Sequence, residues 1–190
     1  MKSPLFFILF VIIYSIAFMA GCQDVKTREL KELKIGGQVW SAQNLSLPTK
    51  GSWCINDCSA PGRFYTWEAA MRLTDSLYGW RMPSENDWRA LEYYLGSDST
   101  EDVLVNRTGG KKLKNHTGFN LFPGSIWNGK PQKQGEQLFY WSSDTINYQG
   151  KRFGRCRMLS NGGLKVDEIY SGYFLANDSL GLSVRLIKVE

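Results

Sequence analysis

The sequence predicts an α+β domain built on antiparallel strands, and the order of its patterns carries that prediction. Two segments with helical spacing lie in the first half of the chain, and short apolar runs broken by Gly, Asn and Ser dominate from Phe119 onward. A parallel sheet needs strands and helices to alternate, and here they do not. Aromatic residues make up 14% of the chain and glycines number 19, which favours a loop-rich fold packed around large side chains over a helical bundle.

Ile35 to Asn44 (IGGQVWSAQN) reads as a strand or tight hairpin, with Gly36-Gly37 as the turn. Residues 48 to 62 hold Pro, Gly, Ser, Asn and two cysteines and form an irregular connection. The first helix is expected from Thr66 to Tyr78, capped by Thr66, with Trp67, Ala70, Met71 and Thr74 on one face and Gly79 as its stop. The second begins at Ser84, a good N-cap, and Glu85 and Asp87 place negative charge in its first turn. Trp88, Leu91 and Leu95 then line a buried stripe, closed by Gly96. Strands are expected at Leu138 to Ser142, Phe153 to Leu159, Lys165 to Phe174 and Ser183 to Lys188.

The start of the chain is of a different kind. Lys2 precedes Leu5 to Phe18, fourteen residues without a charge. As a helix that run reaches about 21 Å, short of a hydrocarbon core of about 30 Å, which suits a cleavable signal segment. Met19-Ala20-Gly21-Cys22 follows and resembles a bacterial lipobox, with Met19 where Leu is usual. Residues 1–21 are therefore expected to be a lipoprotein signal peptide, Cys22 the lipidated residue, and residues 22–34 a polar tether. The expected location is the bacterial cell envelope, anchored to the outer membrane, and Gln23 at the second mature position leaves either face open.

Without residues 1–21 the chain keeps 169 residues, 22 basic and 18 acidic side chains, enough for one domain with a sizeable core. The one tight basic cluster is Lys111, Lys112 and Lys114, with no stripe or motif of a nucleic-acid-binding protein. Three cysteines besides Cys22 allow one bridge and leave one thiol over. Cys54 and Cys58 share a loop and are the disulfide candidates, while Cys156 sits in a strand-like run as a small hydrophobe. His116 is the only histidine, so no zinc set and no multi-histidine iron site is expected, and no cofactor.

Seven segments in order resemble the Fibrobacter succinogenes major paralogous domain family. They are IGGQVWSAQNL (35–45), GRFYTWEAAM (62–71), GWRMPSENDWRALE (79–92), GGKKLK (109–114), GFNLFPGS (118–125), YWSS (140–143) and LGLSVRLIK (180–188). The resemblance spans nearly all of residues 33–190, and residues 35–190 are taken as one domain. That family resembles in turn the sulfatase-modifying domains with a C-type-lectin-like fold. It implies two helices packed on twisted antiparallel sheets, adjacent terminal strands and a long irregular loop region in the second half. Family members often carry two cysteines where this chain holds Ser76 and Leu186. The sulfatase-modifying relatives use a cysteine pair near the C-terminus, and here no cysteine follows Cys156.

Function is therefore expected to be non-catalytic. The first expectation is a lipid-anchored envelope or cell-surface ligand-binding module for a carbohydrate or a protein; the alternatives are a structural or assembly component of a surface complex and, behind it, an enzyme of the sulfatase-modifying type. Candidate ligand-binding residues are Trp127 and Asn128, at the tip of the loop Gly124 to Gln137, with Asp144 and Asn147 as oxygen donors. Trp40, Trp67, Trp80 and Trp88 read as core. Arg81 and Arg185 read as structural, paired with buried carboxylates.

Overall fold

The computed structural model describes residues 30–55, 57–59, 62–95, 119, 127–128, 137–160, 169–176 and 179–189. The expected signal segment 1–21, Cys22, the expected tether as far as residue 29, His116 and most of the expected irregular loop lie outside the described residues.

Strands β1 (Glu32–Ile35) and β2 (Gln38–Ser41) form the opening hairpin. It turns at Gly36, whose φ of +60° suits glycine, and the Tyr94 ring lies 2.8 Å from where a Cβ on Gly36 would stand. Strands β3 (Ser52–Trp53) and β4 (Phe64–Tyr65) pair next. Helix α1 (Trp67–Asp75) starts at Thr66, whose side chain accepts the Ala69 amide, and it ends three residues before Tyr78, its expected end. Strand β5 (Trp80–Arg81) leads into helix α2 (Glu85–Tyr94). The second half supplies β6 (Trp127–Asn128), β7 (Gln137–Tyr148), β8 (Lys151–Ser160), β9 (Ile169–Leu175), β10 (Leu180–Gly181) and β11 (Ile187–Lys188).

All these strands pair antiparallel, in the orders β1-β2-β11-β5, β7-β8-β9, β3-β4 and β6-β10. The fold class is α+β. Strand β11 lies between the opening hairpin and β5, so the two ends of the domain meet in one sheet.

Strand β7 is the wall between two cores, because successive side chains of a strand face opposite ways. Leu138 and Tyr140 point into one core with Trp40, Trp88, Leu91, Phe119 and Ile187. Phe139 and Trp141 point into the other with Tyr65, Trp67, Ala70, Leu182 and Val184. Trp40 and Trp88 are tilted rings 4.8 Å apart, and Phe119 meets Trp40 edge-on at 5.9 Å. Of the four tryptophans read as core, Trp80 is only partly buried.

Two indole donors tie the second core to the backbone. Trp141 Nε1 donates to the Tyr65 carbonyl at 2.7 Å, and Trp67 Nε1 donates to the Ser142 carbonyl at 2.8 Å. Gly154 faces this layer, and a Cβ there would stand 2.7 Å from the Trp67 ring. Arg185 is fully buried and donates to Asn44 Oδ1, the Ser41 carbonyl and the Phe119 carbonyl. Among its partners are an amide oxygen and two carbonyls, where the sequence led to the expectation of a carboxylate.

Candidate functional site

The start of α2 is fixed more heavily than a surface helix needs. Ser84 and Asp87 form a capping box: Ser84 Oγ accepts the Asp87 amide at 3.2 Å, and Asp87 Oδ2 accepts the Ser84 amide at 2.7 Å. Arg81 grips the same carboxylate at 2.5 and 2.9 Å. Burial pushes the Asp87 carboxyl up, but the hydrogen bonds from Arg81 and Ser84 and the Arg81 charge outweigh it and hold it below the ordinary value. Strand β7 adds a second clamp. Its register against β8 shifts between Trp141 and Thr145, and this bulge turns Ser142, Ser143 and Asp144 toward the helix. The Ser143 amide donates to the Pro83 carbonyl at 2.9 Å, and Asp144 Oδ2 accepts the Glu85 amide at 2.5 Å and the Ser142 hydroxyl at 2.9 Å.

Behind the cap lies a buried ion cluster. Glu85, Trp88, Glu92 and Leu95 share one face of α2 at spacings of three and four residues. Arg155 and Arg157, two apart on β8, share one face of the sheet. Arg157, whose side chain is fully buried, sits between the two carboxylates at 2.6 Å from Glu85 Oε1 and 2.8 Å from Glu92 Oε1. Arg155 faces Glu85 Oε2 at 3.1 Å, and Arg89 reaches Glu85 Oε1 at 3.1 Å from the next turn of the helix. Such a cluster orients the helix on the sheet, because each partner removed leaves a charge in a place that solvent does not reach.

The same sheet face continues past the first residue of α2. Directly paired residues of adjacent strands share a face. Arg155 pairs with Tyr173, Phe153 with both Ile146 and Leu175, and Lys151 with Tyr148. Helix α2 meets this face at Arg155 and Arg157, at the end away from the hairpin. Beyond the helix the surface opens: Tyr148 is 60% exposed, Ile146 41% and Tyr173 40%, with Phe153 and Leu175 half-buried between them. The Arg155 guanidinium lies 5.1 Å from the centre of the Tyr173 ring, a cation over an aromatic face. Gln149 and Gly150, at φ +48° and +71°, make the two-residue turn that closes the β7–β8 hairpin. The result is a platform of two tyrosine rings and three apolar side chains, bordered by Lys151 and Arg155.

The residues singled out from sequence fall in several places. Trp127 and Asn128 are not a loop tip: they form β6, whose backbone pairs with Gly181 and Leu180. Asp144 is part of the clamp on α2, its Oδ2 accepting from the Glu85 amide and the Ser142 hydroxyl. Asn147 is exposed near the hairpin end, on the far side of the bulge from the helix clamp. Among the described residues no three His, Cys, Asp or Glu side chains gather as a metal site. Cys54 and Cys58 are joined in a disulfide, with Cα atoms 5.6 Å apart, and Cys156 is a buried thiol. The sequence reading missed the platform because it ended one strand at Ser142 and began the next at Phe153. The available signal was Ile146 and Tyr148 alternating with Thr145 and Asn147, followed by a Gln-Gly turn.

Comparison with known proteins adds one finding. The sequence model of the Fibrobacter succinogenes major domain matches residues 33–188, from the opening hairpin to the last strand. The chain belongs to this family. No curated protein and no solved structure matches it. In this member of the major domain family the matched region contains both cores, the ion cluster and the platform.

Replacing Glu85 by Gln keeps the side-chain shape and strips the cluster of one charge shared by three guanidinium groups. The expected loss is about 3–5 kcal/mol in denaturant unfolding of the purified chain. Glu32→Gln, which breaks the exposed pair with Lys188, is expected to cost less than about 1 kcal/mol. Equal losses for the two variants would show that the cluster does not fix the helix.

Proposed function

We propose that the protein is a non-catalytic ligand-binding module of the bacterial cell envelope, lipid-anchored through Cys22, that recognises its ligand on the open end of the β7–β8–β9 sheet. The observation that supports this reading best is the platform itself. Tyr148 and Tyr173 are exposed on one face of the sheet, beside Phe153, Ile146 and Leu175. Tyrosine rings offer apolar area at low entropic cost together with a polar edge, which suits the ring faces of sugars and also protein surfaces. Strand geometry on both sides of a two-residue turn keeps the rings in place without a ligand, so little ordering opposes binding. The likeness to C-type-lectin-like domains belongs to this proposal, since such domains also present recognition surfaces outside their core.

Two features support the non-catalytic part. Burial pushes the Cys156 thiol up to about 12, so it stays protonated and inert near neutral pH. The Asp144 carboxylate holds the helix N-terminus through the Glu85 amide. No described helix is long and apolar enough to cross a membrane, and in this proposal the link to the membrane is the lipid on Cys22. A second reading, a structural component docked to a partner protein, draws on the apolar strip of Ile146, Phe153 and Leu175.

Both parts are open to direct tests. Metabolic labelling of the producing cells with palmitate is expected to mark the chain and to miss Cys22→Ala; equal labelling of the variant would remove the anchor. Full-length chain in detergent is expected to bind at least one member of a panel of immobilised polysaccharides. Tyr148→Ala combined with Tyr173→Ala should weaken that binding about tenfold or more without changing thermal stability, while Tyr93→Ala, on the exposed side of α2, leaves it unchanged. If no polysaccharide binds and a cross-linker placed at Tyr148 captures one defined envelope protein on cells, the assembly reading replaces the glycan reading.

A further inference from the structure

From the charges that border the platform, we infer that its ligand is a carboxylated polysaccharide, a uronate-type polymer rather than a neutral glycan; the inference rests on the ligand-binding reading above. Between Asp144 and Asp167 the sequence has no acidic side chain, whereas it has Lys151, Arg152, Arg155, Arg157 and Lys165. Arg157 is consumed by the buried cluster. Lys151 is not: it is exposed and lies beside Tyr148 on the platform face. Arg155 lies at the other border, its guanidinium over the Tyr173 ring and held from below by Glu85. Arg152, although exposed at the hairpin end, faces the other side of the sheet, 5.6 Å from the centre of the Trp67 ring, and takes no part in the platform.

The geometry therefore alternates ring and cation across one surface: Lys151 with Tyr148 at the hairpin end, Arg155 with Tyr173 next to the helix. Phe153 stands two residues from each cation on β8, one pleat repeat away. A polymer of sugar acids offers the complementary sequence of apolar ring faces and carboxylates. Apolar stacking holds the rings, and the cations select for charge. A neutral glycan would use the tyrosines and leave Lys151 without a role. An acidic protein would present carboxylates, but would not supply the apolar ring faces that suit the two exposed tyrosines.

The test uses three probes: polygalacturonate, alginate and methyl-esterified polygalacturonate, which keeps the rings and loses the charge. Full-length chain in detergent is expected to bind at least one of the two charged polymers and to bind the ester at least tenfold more weakly. Raising the salt from 50 to about 500 mM should reduce the charged-polymer affinity, because exposed charges are screened within a few ångströms. Lys151→Gln should lower it about fivefold, and Arg152→Gln, on the opposite face of the sheet, should leave it unchanged. Tyr148→Ala with Tyr173→Ala should abolish it, and Tyr148→Phe with Tyr173→Phe should retain most of it.

Equal binding of ester and acid, unaffected by Lys151→Gln, overturns this inference and leaves the glycan-binding reading standing. Binding of acid that survives loss of both tyrosines also overturns it, since the charge would then act elsewhere on the chain. Failure of both charged polymers overturns it too. If the wider panel then yields a neutral ligand dependent on Tyr148, only the charge inference falls; if the panel is empty as well, the ligand-binding reading falls with it.

Discussion

The position of Arg157 between Glu85 and Glu92 is the constraint on which the rest of the arrangement depends. A guanidinium with no exposed surface needs its oxygens in fixed places, and both are supplied by one face of α2. That contact sets how far the helix lies along the three-stranded sheet. Glu85 is the first helical residue, so the helix reaches the sheet at Arg155 and goes no further. The tyrosine platform exists because the helix starts there. The bulge in β7 acts on the same point from the other side, with Asp144 on the Glu85 amide and Ser143 on Pro83.

Replacing such a cluster by well-packed apolar residues often leaves stability unchanged or improves it, so the ions are a weak argument for stability as such. Their evident contribution here is position. An apolar helix face could slide by a turn on the apolar sheet face and still bury similar area. Arg157 makes any such shift leave charges without partners. The aromatic core of Trp40, Trp88 and Phe119 then packs around an orientation already chosen.

Much of this was legible in the sequence, and the reasons divide cleanly. Helix starts carry local chemistry: Thr66 accepts from Ala69, and Ser84 and Asp87 close a capping box, as side chains of those types at those spacings do. The opening hairpin and the strand at the chain's end were also visible, because glycine and alternation are local signals. The ion cluster was not. Glu85 and Glu92 recur on the same stripe as Trp88 and Leu95, and Arg155 and Arg157 repeat at strand spacing, yet each half alone reads as a solvated charge. Only a contact across 72 residues of sequence makes them buried partners. Trp127 misled for a related reason: a tryptophan beside Asn and Gly reads as a loop tip, and its pairing with Gly181 is non-local.

The most direct measurement is a titration of the full-length chain with polygalacturonate, followed through the ring resonances of its tyrosines. The account predicts that Tyr148 and Tyr173 shift together with one affinity while Tyr78, Tyr93 and Tyr94, at least as exposed, stay in place. Shifts confined to Tyr78, Tyr93 or Tyr94 would contradict it, because the recognition surface would then lie on the helical side rather than on the open end of the sheet.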